Sequence, residues 1–155
     1  MSVAFRRESD EEHKEPRFEL PIPPGPNLVT AAGLKQAGAK VAELEALVAA
    51  ETEELALADA QRSLRYWRTR LATAELAPPP PEDEAAFGSR VTFRLNGKER
   101  IVDIVGDDEA DPAAGKLAFS APLARALIGA GRGDLANFGG KEEAIEILAV
   151  APIES

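Results

Sequence analysis

The sequence predicts an α+β protein in which an antiparallel helical hairpin precedes a small antiparallel β domain with one short helix. Three observations lead there. Residues 28–77 are almost free of Gly and Pro after Gly38 and rich in Ala, Leu, Glu and Arg, a helix-forming composition. Residues 85–155 carry short apolar runs separated by Gly, Asn and Pro. Nine of the twelve prolines fall within residues 16–26 and 78–81. Those clusters divide the chain into an extension at 1–27, a hairpin at 28–77, a Pro/acidic linker at 78–84 and a C-terminal domain at 85–155.

The extension carries Glu8, Asp10, Glu11, Glu12 and Glu15, followed by a Pro-rich run, and is expected to be disordered or extended. Phe18, Leu20 and Ile22 alternate, a pattern that suits either a sheet edge or a face of the hairpin; the reading adopted is a passive tail.

In the hairpin, Leu34, Ala37, Val41, Leu44 and Val48 follow three-four spacing, the seam of a coiled coil. Leu57, Ala60, Leu64, Trp67, Leu71 and Ala74 form a second series. The two are out of phase, which a chain reversal near residues 49–55 explains; one long helix with a stutter is the alternative. Thr52 is the expected N-cap of the second helix, with Glu53 and Glu54 in its first turn. Arms of about 20 residues would extend roughly 30 Å at 1.5 Å per residue.

Beyond the linker, Arg90 to Leu95 alternates and Asn96-Gly97 marks a tight hairpin leading into residues 99–105. Ile101, Val102, Ile104 and Val105 read as a buried strand ending at Gly106. Residues 116–120 read as another strand, and Pro122 suits the first turn of a short helix. Leu123, Ala124, Leu127 and Ile128 would then face the sheet, with Arg125 outward and Gly129 as the stop. Gly139-Gly140 separates a last pair of strands.

Composition excludes several function classes. The formal charge of −9 argues against nucleic acid as the main ligand and favours a protein partner. There is no Cys, so neither a disulfide nor a thiolate metal site is possible. The sequence has no phosphate loop, and its one His, His13, lies in the extension. No apolar run would span a bilayer, and a cytoplasmic protein is expected.

The stretch Ile104-Val105-Gly106-Asp107-Asp108-Glu109-Ala110-Asp111, continuing through Gly115 and Ser120-Ala121-Pro122-Leu123-Ala124-Arg125-Ala126-Leu127 to Gly133-Asp134, resembles the C-terminal domain of the Gre transcript-cleavage factors. Asn27-Leu28-Val29-Thr30-Ala31-Ala32-Gly33-Leu34 resembles the start of their coiled coil. The resemblance implies an FKBP-like domain and a partner, bacterial RNA polymerase, whose secondary channel receives the hairpin. It also implies that no catalytic residue is intrinsic and that Mg²⁺ enters only as an ion shared with the polymerase, near the tip acids Glu51, Glu53 and Glu54. Asp59 lies nearby, and Arg62, Arg65, Arg68 and Arg70 would touch acidic surface of the channel. Ser120, Pro122, Leu123 and Arg125 would contact the polymerase from the globular domain. Nascent RNA is then engaged only indirectly, with DNA binding weak and no membrane or small-molecule substrate involved.

The resemblance also has departures. The Asp-x-x-Glu tip with a following Asn is not recognisable between Glu51 and Asp59, the hairpin is short, and Ser120-Ala121-Pro122 stands where Asp-Ser-Pro is common. Stimulated cleavage of backtracked RNA is therefore accompanied by three alternatives. They are occupation of the channel without cleavage, regulation of nucleoside diphosphate kinase, and, from another class, peptidyl-prolyl isomerisation in an aromatic proline pocket.

Overall fold

A computed structural model describes residues 19–153; the acidic part of the extension, with His13 and Phe18, lies outside them. The chain first makes a two-residue strand β1 (Leu28–Val29), then helices α1 (Ala31–Ala50) and α2 (Glu54–Thr73), then β2 (Glu75–Leu76). Both helices are 20 residues long, and the reversal occupies only residues 51–53. The phase break between the two apolar series is thus a turn, as the spacing predicted. Val41, Leu44 and Leu64 are buried between the helices, with Val48, Trp67 and Leu71 packed around them. Leu34 is 38% exposed, so the seam begins one turn later than expected, at Ala37.

The turn itself corrects one expectation. Thr52 does not cap α2; Glu53 does, its Oε1 accepting from Ala56 N at 2.7 Å. A carboxylate on a longer side chain reaches the same orphan N–H, and its charge suits the positive end of the helix.

At the hairpin base β1 and β2 pair in parallel, Leu28 opposite Glu75 and Val29 opposite Leu76. Asn27 is buried there and donates from Nδ2 to Arg70 O at 2.8 Å and Thr73 Oγ1 at 3.1 Å. Both ends of the hairpin are thereby tied together before the chain enters the linker.

The globular body is a five-stranded sheet ordered β5-β4-β3-β7-β6. Its strands are β3 (Ser89–Leu95), β4 (Lys98–Val105), β5 (Lys116–Ala118), β6 (Leu135–Phe138) and β7 (Lys141–Pro152). Asn96 and Gly97 turn β3 into β4 with φ of 52° and 85°, the left-handed pair that a two-residue hairpin requires. The six-residue helix α3 (Pro122–Leu127) covers one face, sinking Leu123, Ala124 and Leu127 into a core with Val91, Phe93, Val102, Ile104, Ile145 and Ile147.

Three further expectations are corrected here. Ile101 is 55% exposed, because strand periodicity puts Val102 and Ile104 on the covered face and Ile101 on the other. Ile128 is 40% exposed, since the helix ends at Leu127 and Gly129 turns the chain at φ 94°. The sheet is also not wholly antiparallel: β5 stops at Ala118 and runs parallel to β4. The chain reaches that register by crossing over through two 3-10 turns, Asp107–Glu109 and Pro112–Ala114.

Candidate functional site

The side chains singled out by the sequence fall in three places: the hairpin tip, the hairpin base and the edge of the body around α3. At the tip, Glu51 accepts from Thr52 N at 3.2 Å and Glu53 N at 3.0 Å, both through Oε2. Glu53 caps α2 as described above, and Glu54 stands exposed in the first turn of that helix. Two of the three acids therefore spend an oxygen on the local backbone. Among the described residues no group of three or more His, Cys, Asp or Glu is placed to hold a metal ion. Leu47 and Leu55 beside the acids are 43% and 50% exposed.

The arginines of α2 divide by position. Arg62 pairs with Asp59 at 2.7 Å, Arg65 with Glu19 at 2.7 Å, and Arg68 with Glu45 at 3.0 Å. The Arg65 guanidinium holds the exposed Glu19 carboxyl below its usual range, and Glu19 thereby lays the end of the extension along α2. Leu20 and Ile22 of that segment stay 38% and 45% exposed. Arg70 does not face outward at all. It is 2% exposed, with Nε donating to Asp108 Oδ2 at 2.5 Å and Nη2 buried without a partner among the described residues. Position near the body decides this: one helical turn beyond Trp67, α2 meets the acidic turn of the body.

That turn is the feature sequence reasoning missed. Residues Asp107–Glu109 are each half-buried, and each bonds to residues outside the turn. Asp107 Oδ1 accepts from Ser120 Oγ at 2.6 Å. Asp108 takes Arg70 Nε and the Tyr66 hydroxyl, while its carbonyl accepts from Gln36 Nε2 at 3.2 Å. Glu109 takes the Thr30 hydroxyl, Thr30 N at 3.1 Å and Gly106 N at 3.1 Å.

The Glu109 contacts complete a capping box from outside the helix. Thr30 caps α1, its Oγ1 accepting from Gly33 N at 3.0 Å. In an ordinary box the third helical residue is Glu or Gln and returns a bond to the N-cap N–H. Here that residue is Gly33, and Glu109 supplies the carboxylate instead. A Cβ on Gly33 would lie 2.3 Å from the Glu109 carboxyl carbon, so the missing side chain makes room for the substitute. Gly106 serves a matching purpose, since a Cβ there would stand 2.5 Å from Leu28 O. The signal was present as two glycines facing an acidic run, but nothing in the linear order joins residue 33 to residue 109.

Tyr66 records the same junction electrostatically. Burial first, and then its hydrogen bond to the Asp108 carboxylate, push the phenol up to about 12. Ionising it would place a second negative charge against Asp108 in a half-dry site.

At the body edge, Ser120 is exposed and committed to Asp107, so it does not replace the missing polar cap of α3; Ala121 occupies that N-cap position. Pro122 and Arg125 are exposed. Leu123 is 9% exposed and packs in the core against the sheet, one residue from the exposed Pro122. The aromatic proline pocket of the isomerase alternative has no counterpart in the cleft of about 400 Å³ beside the linker. That cleft is lined by Leu76, Pro78, Pro79, Pro80 and Pro152 among others, with Phe87 as its one aromatic.

Residues 80–152 match the family described as transcription elongation factor, GreA/GreB, C-term. The globular domain is thus similar to the C-terminal domain of the GreA/GreB factors. The Gre match continues in individual relatives. Transcription elongation factor GreB of Neisseria meningitidis serogroup A is 41% identical over 100 residues, which cover 60% of this chain and 61% of that protein. Transcription elongation factor GreA of Brucella canis is 43% identical over 72 residues, 44% of this chain and 46% of the relative. The chain thus spans less than two thirds of the length of these Gre relatives. Among solved structures, a GreA/GreB elongation factor from Nitrosomonas europaea overlays 83% of this chain and 99% of its own at 21% identity, with a TM-score of 0.40. No helix among the described residues is long and apolar enough to cross a membrane.

Proposed function

We propose that this chain is a regulator of transcription elongation, an accessory factor that docks at the secondary channel of RNA polymerase and stimulates cleavage of backtracked RNA by the polymerase itself. One observation carries the reading: an acid-tipped hairpin about 30 Å long is braced at its base to a GreA/GreB domain. The body would dock through the exposed edge at Ser120, Pro122 and Arg125, and the hairpin would carry Glu51, Glu53 and Glu54 into the channel. Surface pairs of Arg65 and Arg68 are cheap to exchange for acidic groups on a partner, because exposed ion pairs contribute little.

A second mechanism on the same dock is occupation of the channel without cleavage. The capping bonds of Glu51 and Glu53 favour it, since each acid spends one carboxylate oxygen on backbone N–H groups and offers a partner's metal fewer open sites. A cleavage assay on stalled elongation complexes separates the two. Loss of stimulated cleavage in Glu51→Ala/Glu53→Ala/Glu54→Ala, with binding retained, supports stimulation. Binding by the wild-type chain with no cleavage supports occupation. Absence of binding by the wild-type chain removes both.

A further inference from the structure

A hairpin that acts at a distance must be aimed, and the described contacts between hairpin and body converge on one turn. Three consecutive acids there reach three elements: Asp107 reaches Ser120 at the start of α3, Asp108 reaches Tyr66 and Arg70 on α2, and Glu109 reaches Thr30 at the start of α1. The contacts on the two helices are far apart in sequence, 38 residues for Arg70 to Asp108 and 79 for Thr30 to Glu109. They are also directional, because charge-assisted hydrogen bonds fix angle as well as distance. The β1–β2 pair ties the hairpin ends to each other, and the linker leaves the base at Ala77. Holding α1 through the Glu109 carboxylate and the Asp108 carbonyl, and α2 through the Asp108 carboxylate, removes the rotations that a single tether would leave.

We propose that the turn Asp107–Glu109 sets the direction of the hairpin, with Asp108 and Glu109 as positioning residues for the tip and Asp107 anchoring the turn to the body. The proposal rests on the reading of the hairpin as a probe, which it deepens. Gly33 is part of the same device: it admits the Glu109 carboxylate to the N-terminus of α1, where a methyl group would collide with it. Arg70 is buried and held by Asp108 through Nε, with Nη2 unpartnered among the described residues.

The absence of cysteine in the chain permits a direct test. Spin labels are placed at Thr52→Cys on the tip and Lys98→Cys on the body turn of the full-length chain, and the distribution of distances between them is measured. The wild-type background is expected to give one narrow distribution. Asp108→Asn/Glu109→Gln is expected to broaden or shift it while circular dichroism still shows helix and sheet. Asp103→Asn, which removes a carboxylate paired with Arg90 inside the body, is expected to leave it unchanged. Gly33→Ala is the second variant: it keeps the carboxylates and the helix but displaces Glu109, and should broaden the distribution by itself. An unchanged distribution in both variants overturns the proposal, and if the double variant does not fold, Gly33→Ala alone decides. Polymerase binding is measured on the same samples. Failure of the wild-type chain to bind would sink the functional reading while leaving the distance result to stand or fall separately.

Discussion

Acidic residues gather at both ends of the hairpin, and the two groups are used differently. Glu51 and Glu53 at the tip bond backbone N–H groups one to three residues away, in solvent. Asp108 and Glu109 at the base, half-buried, bond side chains and backbone from the other end of the sequence. The tip group shapes a local turn and leaves outward charge. The base group joins two bodies. The difference teaches that a run of acids acquires its role from what faces it: water screens the first set, while a cationic helix face and an open helix N-terminus order the second.

The sharpest way to break this contrast is to remove the cation at the base. Arg70→Ala is expected to lower stability by about 3 kcal/mol, because it strands Asp108 in a half-buried site. Urea unfolding followed by the fluorescence of Trp67, the one tryptophan, measures it. A loss no larger than that from a surface arginine such as Arg68→Ala would show that the junction carries no special weight. Gly33→Ala comes next. Better helix propensity returns about 1 kcal/mol, whereas displacement of Glu109 forfeits charged hydrogen bonds of about 1.5–3 kcal/mol. A net loss of about 1 kcal/mol in the same experiment is expected, opposite in sign to an ordinary Gly→Ala change within a helix.

At the tip the effects are smaller. Glu53→Ala should cost about 0.5 kcal/mol, the low end for an exposed N-cap. Faster amide exchange should be confined to the first turn of α2 around Ala56, and loss of protection spreading to Leu64 would contradict a purely local role. The smallest effect is read optically. The chain has one tyrosine, so its phenolate absorbance reports Tyr66 alone, with a midpoint expected near 12. Because the folded pKa lies above the unfolded value, the folded state binds the extra proton between about 10 and 12. The Tyr66 contribution is therefore complete below pH 10 and lost as pH rises through 12. Asp108→Asn should move the midpoint down towards the ordinary value, and a midpoint that stays put would leave burial as the sole cause.

Much of the fold was legible because it follows from local rules. Three-four spacing gave both helices, and the break in phase placed the reversal near residues 49–55, where the structure has it at 51–53. Asn96-Gly97, Pro122 and Gly129 each stand where a left-handed turn, a first helical position and a helix stop require them. The site was less legible. Arg70 reads in sequence as one more arginine of a basic run, and only the approach of the body separates it from Arg68. Ile101 lies in an apolar run that is buried on one face alone. Leu123 was assigned to the core by its helical spacing, and it packs there against the sheet.

The order of residues by itself determined a hairpin, a sheet with its tight turns, and a charge pattern with acid at the reversal, all of which depend on neighbours within a few positions. Only the tertiary structure decided that the Asp107–Glu109 turn is a bracket, because a carboxylate becomes structural when a distant helix end and a buried guanidinium are brought within hydrogen-bonding reach and water is excluded. No spacing rule carries that information across 79 residues from Thr30 to Glu109.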